Sequence, residues 1–263
     1  MQHNINLELN SVKKRLFVCS LVVLSLFLFY HFGRSIWYPL AIKIKGKQTV
    51  EQVIETYGLS TRDELAPLFD RSGITYPPKK LALVAFKDTN VLEVWASNEG
   101  SNYQLIVRYP IKAASGKLGP KLREGDRQVP EGIYTIIGLN PNSAYHLSMK
   151  INYPNAYDLE HAKAEGRAEP GTNIFIHGRA ASIGCLAMGD PVIEKLFSLV
   201  YATGRDNTTV LISPTDPSKN PLVVPSNAPE WTRDLYDKIE AHYQTINSNR
   251  YNSEYSAAKQ SSE

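Results

Sequence analysis

Asn173-Ile174-Phe175-Ile176-His177-Gly178 reads as a buried strand that ends on an imidazole and a glycine. After three further residues comes Ser182-Ile183-Gly184-Cys185-Leu186-Ala187-Met188-Gly189-Asp190, a glycine-bearing loop with a thiol eight residues beyond the imidazole. A strand end followed by a tight loop is expected to bring two groups at this separation within hydrogen-bond reach. Acyl transfer uses such a pair: the imidazole takes or holds the thiol proton, the thiolate attacks a carbonyl, and the imidazolium protonates the leaving amine. Gly184 lets the backbone approach closely, so the amides of Gly184 and Cys185, in a loop with Ser182 and Gly178, are expected to form an oxyanion site. Taken singly, a strand-end His is commonly a capped or surface residue and a lone Cys a small core hydrophobe. Together, flanked by glycines, they mark Cys185 and His177 as the candidate catalytic residues.

Outward from this stretch the chain is rich in short strands. Residues 81–86, 91–96, 105–109, 133–138, 146–151, 173–177 and 210–213 are β-branched, leucine and aromatic runs separated by Gly, Pro, Asn and Asp turns. Leu92, Val94 and Ala96 alternate with Glu93, Trp95 and Ser97, the pattern of a half-buried strand. The expected fold is therefore mainly β, a sandwich or barrel-like domain over 81–215 with few helices. One helix is well specified: Asp190 as N-cap, Pro191 at the first position, a stripe of Val192, Ile193, Leu196, Phe197 and Val200, and Gly204 as the stop. Residues 34–80 read as a stem, helical around 49–57 with a second helix start at Ser60 and a stop at Tyr76-Pro77-Pro78. Residues 216–263 are expected to hold a helix around Trp231 and then a polar, Ser-rich tail.

The N-terminus carries a different signal. Residues 16–33 are 18 in number, lack a formal charge, include 14 apolar residues, and follow Lys13-Lys14-Arg15. Such a helix rises about 27 Å, close to a hydrocarbon core of about 30 Å. Residues 1–33 are thus expected to be a cytoplasmic tip and inner-membrane anchor, with Trp37 and Tyr38 at the interface. The positive-inside rule then sends residues 34–263 to the periplasm. A cleaved signal peptide is the competing reading, weakened by the length of the run and the lack of a small-residue cleavage site.

Composition excludes other classes. With 29 Lys+Arg against 26 Asp+Glu the net charge is +3, too weak to indicate a nucleic-acid partner. Two cysteines, Cys19 and Cys185, supply neither a disulfide scaffold nor a four-Cys metal site. No close pair of ligands makes His146, His161, His177 and Cys185 a metal set, and no cofactor motif is present.

The nucleophile stretch resembles the YkuD-type L,D-transpeptidase signature, in which a strand-borne His-Gly precedes a Ser-x-Gly-Cys loop. Gly119-Pro120-Lys121 through Gly125-Asp126, then Pro130-Glu131-Gly132-Ile133-Tyr134, is similar to that family's strand and turn. Leu139-Asn140-Pro141-Asn142-Ser143, Tyr145-His146-Leu147-Ser148 and Tyr153-Pro154-Asn155 resemble its YafK/DpaA-like branch. The resemblance implies catalysis by Cys185 and His177 on peptidoglycan stem peptides through an acyl-thioester. The outcome would be crosslinking or hydrolytic release of a diaminopimelate-linked outer-membrane lipoprotein. Ile183 stands where many members have His or Lys, and Ala187 where many have Arg or Asn. A substrate carboxylate would then fall to Arg179, Lys121 or Arg123, with Tyr145 and His146 lining the groove. The alternative is a catalytically silent module that tethers membrane to wall.

Overall fold

The computed structural model describes residues 2–99 and 102–248. The chain divides into two compact units, one up to residue 47 and the other from 48 onward. The first holds α1 (Gln2–Phe32) and α2 (Arg34–Lys45). Leu16, Phe17, Val23 and Leu26 of α1 are each more than 60% exposed. Among the described residues no helix is long and apolar enough to cross a membrane. The described apolar side chains of α1 run from Leu16 to Tyr30, and that length rises only about 22 Å. The side chains at 31 and 32, which the expected span also needs, lie outside the described set. Trp37, expected at an interface, sits on α2 and stacks on Tyr30 at 5.3 Å.

The second unit begins with α3 (Val50–Arg71), then β1 (Lys80–Phe86), β2 (Val91–Ser97), β3 (Gln104–Pro110) and β4 (Ala113–Ala114). β5 (Gly132–Ser143), β6 (His146–Ile151), α4 (Ala156–Ala164), β7 (Phe175–His177) and β8 (Leu186–Ala187) follow. The unit closes with α5 (Asp190–Thr203), β9 (Thr208–Ser213) and α6 (Thr232–Ile246). The strands form one mixed sheet in the order β3-β2-β1-β9-β5-β6-β7-β8-β4. The 12-residue β5 joins its halves, pairing with β9 through residues 132–135 and with β6 from Ile136 onward. Leu81, Leu83 and Val210 from one half share a core with Met149, Ile176 and Leu186 from the other, so the sheet curls around a common interior.

β1 shows why helices cover both faces. Leu81, Leu83 and Ala85 enter the main core with Phe69 of α3 and Leu196 and Phe197 of α5. Ala82, Val84 and Phe86 enter a second core with Leu235, Tyr236, Ile239 and Tyr243 of α6. A strand apolar at every position needs a layer on each side. β2 departs from the half-buried expectation for the same reason: Glu93 is 2% exposed and Trp95 5%. The carboxylate is satisfied there, accepting from Trp95 Nε1 at 2.8 Å and Arg108 Nε at 2.7 Å.

Three helical boundaries differ from expectation. α3 is a single helix, opened by a reciprocal Thr49–Gln52 capping box and continuing through Ser60 and Pro67. Its Val53, Thr61, Leu65 and Phe69 are buried at multiples of four, one face of a continuous helix. α5 starts at Asp190 after Gly189, whose φ is +82. The Asp190 carboxylate accepts from Arg179 N at 2.8 Å and does not cap the helix. α4, not anticipated, is opened by a capping box between Asn155 and Asp158. The polar tail from residue 249 lies outside the described residues.

Candidate active site

His177 ends β7 and Cys185 immediately precedes β8. These strands are parallel, with Ile176 opposite Leu186 and His177 opposite Ala187. Ile176 and Leu186 point into the main core. Side chains alternate along a strand, so His177 and Ala187 share the other face, and Cys185 sits in the bend one residue before Ala187's neighbour Leu186. The loop between them therefore turns the chain through a short parallel crossover and returns it beside itself.

The thiol and imidazole have different immediate partners. The Cys185 thiol lies 4.0 Å from the Asn173 carbonyl, toward which it donates. His177 Nδ1 lies 2.6 Å from the Gly178 carbonyl. A carbonyl can only accept, so Nδ1 carries the proton and Nε2 keeps the basic lone pair. The Tyr145 ring covers the imidazole with centroids 4.6 Å apart. Burial holds the His177 pKa below its ordinary value, with the Gly178 bond opposing. Burial also raises the Cys185 thiol, while the Phe175 amide and the Lys121 ammonium pull it back. Both shifts favour the neutral thiol and neutral imidazole as the resting pair.

The loop that carries Cys185 is held by two serine hydroxyls. Cys185 N donates to Ser182 Oγ at 3.0 Å, and that hydroxyl donates to Cys185 O at 2.6 Å. Gly184 N donates to Ser115 Oγ at 2.6 Å. The two amides expected to serve an oxyanion thus donate to serine hydroxyls in this structure. Gly184 has φ +105, and a Cβ there would lie 3.3 Å from Gln128 O. Ser115, 69 residues upstream, had no sequence signal of its own; only the fold brings it to this loop.

The expected substrate contacts separate into free and occupied groups. Arg179 is held near Asp190, Nε to Oδ2 at 3.5 Å. His146 Nε2 meets Glu194 Oε1 of α5 at 2.6 Å and packs edge-on against Tyr57 of α3, so it braces helices. Lys121 is 6% exposed and donates to Asp126 Oδ1 at 2.5 Å and Arg123 O at 2.9 Å. It acts on Cys185 through its charge. Tyr145 retains 37% exposure beside His177, and Arg123 is exposed. Among the described residues no His/Cys/Asp/Glu group could hold a metal ion.

Gly178 fixes this arrangement sterically. A Cβ would lie 2.7 Å from both Tyr145 O and Asp190 Oδ1 and 3.0 Å from Ile193 Cγ2. Gly178→Ala is therefore expected to cost about 1–3 kcal/mol, read as a lowered urea midpoint. An unchanged midpoint would show that the backbone here yields freely.

Residues 81–212 match the family model described as the L,D-transpeptidase catalytic domain, YkuD. This chain belongs to the YkuD family. Escherichia coli YafK, named as a candidate L,D-transpeptidase, is 37% identical over 134 residues, 49% of this chain and 52% of the relative. The chain thus spans about half the length of the curated relatives it matches. Among solved structures, the helical cell shape determining protein Pgp2 of Campylobacter jejuni aligns at 20% identity and TM-score 0.42. That alignment covers 52% of this chain and 48% of Pgp2. Bdellovibrio bacteriovorus Bd1075 aligns at 25% identity and TM-score 0.38, covering 53% and 51%. The YkuD match spans every strand from β1 nearly to the end of β9, and so contains both His177 and Cys185.

Proposed function

We propose that this chain is a cysteine-dependent acyl-transfer enzyme acting on peptidoglycan stem peptides, with Cys185 as nucleophile and His177 as base and acid. The observation that carries the reading is the parallel β7–β8 pairing, which runs the backbone at His177 alongside the residues that directly follow Cys185. In the first half-reaction the Cys185 proton passes to His177 Nε2 and the sulfur bonds to the substrate carbonyl. The C–N bond then breaks, and the imidazolium proton goes to the leaving amine. An acyl-thioester remains on Cys185. Water as second reactant gives hydrolysis, including release of a diaminopimelate-linked lipoprotein; an amine gives a crosslink. The family description supports the L,D-peptide as substrate class.

The proposal includes placement: α1 anchors the chain in the inner membrane through residues 16–33, with residues 34–263 in the periplasm. The exposed apolar side chains from Leu16 to Tyr30, preceded by Lys13-Lys14-Arg15, support it.

The test is incubation of the full chain with sacculi carrying covalently attached lipoprotein. Release of protein assigns hydrolysis, and new diaminopimelate crosslinks assign transpeptidation. Binding without any bond change supports the silent wall-tethering module instead, a reading favoured by the thiol's contact with Asn173 O in place of His177.

The resting protonation has its own test. Thiolate is the reactive form, and the raised Cys185 pKa leaves less of it at neutral pH. In a Cys19→Ser background, iodoacetamide labelling of Cys185 is expected to rise about tenfold per pH unit through pH 8, without levelling below about pH 9. A plateau at or below pH 7 would identify a preformed thiolate–imidazolium pair.

A further inference from the structure

We infer that Ser115 is a positioning residue for the nucleophile, acting through Gly184 on Cys185; the inference rests on the reading of Cys185 as nucleophile. Ser115 directly follows β4, whose Ala113 and Ala114 pair with Ala187 and Leu186 of β8. Cys185 therefore lies between two attachments to the same short segment. On one side Gly184 N donates to Ser115 Oγ at 2.6 Å, and on the other the β4–β8 ladder begins.

Proton accounting shows that the hydroxyl has one orientation. Ser115 Oγ donates its single hydrogen to Arg127 O at 2.7 Å, leaving lone pairs for Gly184 N–H. Ser182 Oγ has spent its hydrogen on Cys185 O at 2.6 Å. The two hydroxyl oxygens, 3.5 Å apart, consequently have no proton left to share. Ser115 is itself fixed, because its carbonyl accepts from Val129 N at 3.2 Å. The result is a chain of bonds from Val129 and Arg127 through Ser115 to the residue before the thiol. Gly184 has φ +105 and needs such a bond to stay in one of several conformations open to glycine.

Placement of a nucleophile is sensitive at this scale, since a shift of about 1 Å can cost about 10²-fold in rate. Three full-length variants isolate the hydroxyl. Ser115→Ala removes it. Ser115→Thr and Ser115→Val have the same shape and differ only in whether it is present. Ser115 lines a cavity of about 190 Å³ together with Lys87 and Leu118. Initial rates on sacculi are measured at saturating and at limiting substrate. Ser115→Ala and Ser115→Val are expected to lower the saturated rate about 10–100-fold with little change in half-saturation. Ser115→Thr is expected to stay within about threefold of wild type. Because Thr and Val place equal demands on packing, equal rates for these two overturn the inference even if Ser115→Ala folds poorly. A wild-type rate in Ser115→Val also overturns it. Cys185→Ala in parallel separates the premises: if that variant turns over normally, the nucleophile reading falls and this inference with it. If it is inactive while Ser115→Val is unimpaired, this inference alone falls.

Discussion

Cys185→Ala is expected to lower turnover of sacculi by about 10⁴-fold or more, the size of loss seen when a covalent nucleophile is deleted. The same substitution should leave the urea midpoint nearly unchanged. Cys185 is absent from both hydrophobic cores, and its hydrogen-bonded loop is tied through backbone groups and serine hydroxyls that alanine preserves. The pairing of a large kinetic effect with a small structural one is the signature of chemistry at that atom. His177→Gln should lose about 10²–10⁴-fold, the usual contribution of general acid–base catalysis. It is also expected to cost some stability, because His177 is 3% exposed beneath Tyr145. Intact-mass measurement during turnover should show an acyl adduct on wild type and none on Cys185→Ala. An adduct on the variant, or equal rates for the two proteins, removes the catalytic reading and leaves the tethering module.

The same residues show what could be read from the sequence and what could not. β1, β2, β6 and α5 stand close to where the apolar runs place them, since runs of four or more core residues leave a period in the sequence. β4 and β8, with two residues each, leave none, yet their pairing locates the thiol. His177 and Cys185 stand out as candidates in the sequence because cysteine is rare in this chain and the two lie eight residues apart among glycines. Ser115 is one serine among many, and its partner is 69 residues away. Substrate contacts were the least legible, because a lysine or histidine looks the same in sequence whether free or paired. Lys121 with Asp126 and His146 with Glu194 proved to be paired. The motif containing Glu131 was legible as a family likeness, but its physical role depends on partners that no local pattern announces.

Glu131→Ala is expected to destabilise the protein by about 3–5 kcal/mol, against a total stability for such a domain of about 5–15 kcal/mol. Glu131 is 1% exposed. Its Oε1 accepts from Lys87 Nζ at 2.9 Å and Gly119 N at 2.8 Å, and its Oε2 accepts from Tyr236 OH at 2.8 Å. One side chain thus joins the end of β1, the turn at Gly119 and helix α6. Lys87 Nζ also donates to Gly119 O at 3.1 Å and Val129 O at 3.0 Å, so the ammonium is satisfied only while the carboxylate is present to complete the set. Removing the carboxylate leaves a buried cation, an amide and a phenol without their acceptor, which costs more than the net worth of the ion pair. Glu131→Gln should fall between wild type and alanine: its oxygen can accept from Gly119 N and its amide can donate to Tyr236, but the charge is gone. Burial already pulls the Lys87 pKa down, with Glu131 as the largest opposing influence. In Glu131→Ala that pKa should fall further below its unfolded value. Between the two values the unfolded chain binds the extra proton, so the deficit should shrink as pH rises toward 10. Adding Lys87→Met to Glu131→Ala should recover part of the loss by removing the orphan cation. Urea denaturation across pH 6–10 reads all three effects; a deficit under about 1 kcal/mol, or one that grows with pH, would contradict the buried-pair account. The network reaches the candidate site as well. Lys87, which Glu131 holds, donates to Val129 O, and Val129 N donates to Ser115 O, so folded Glu131→Ala protein should turn over sacculi more slowly even though Glu131 touches neither His177 nor Cys185.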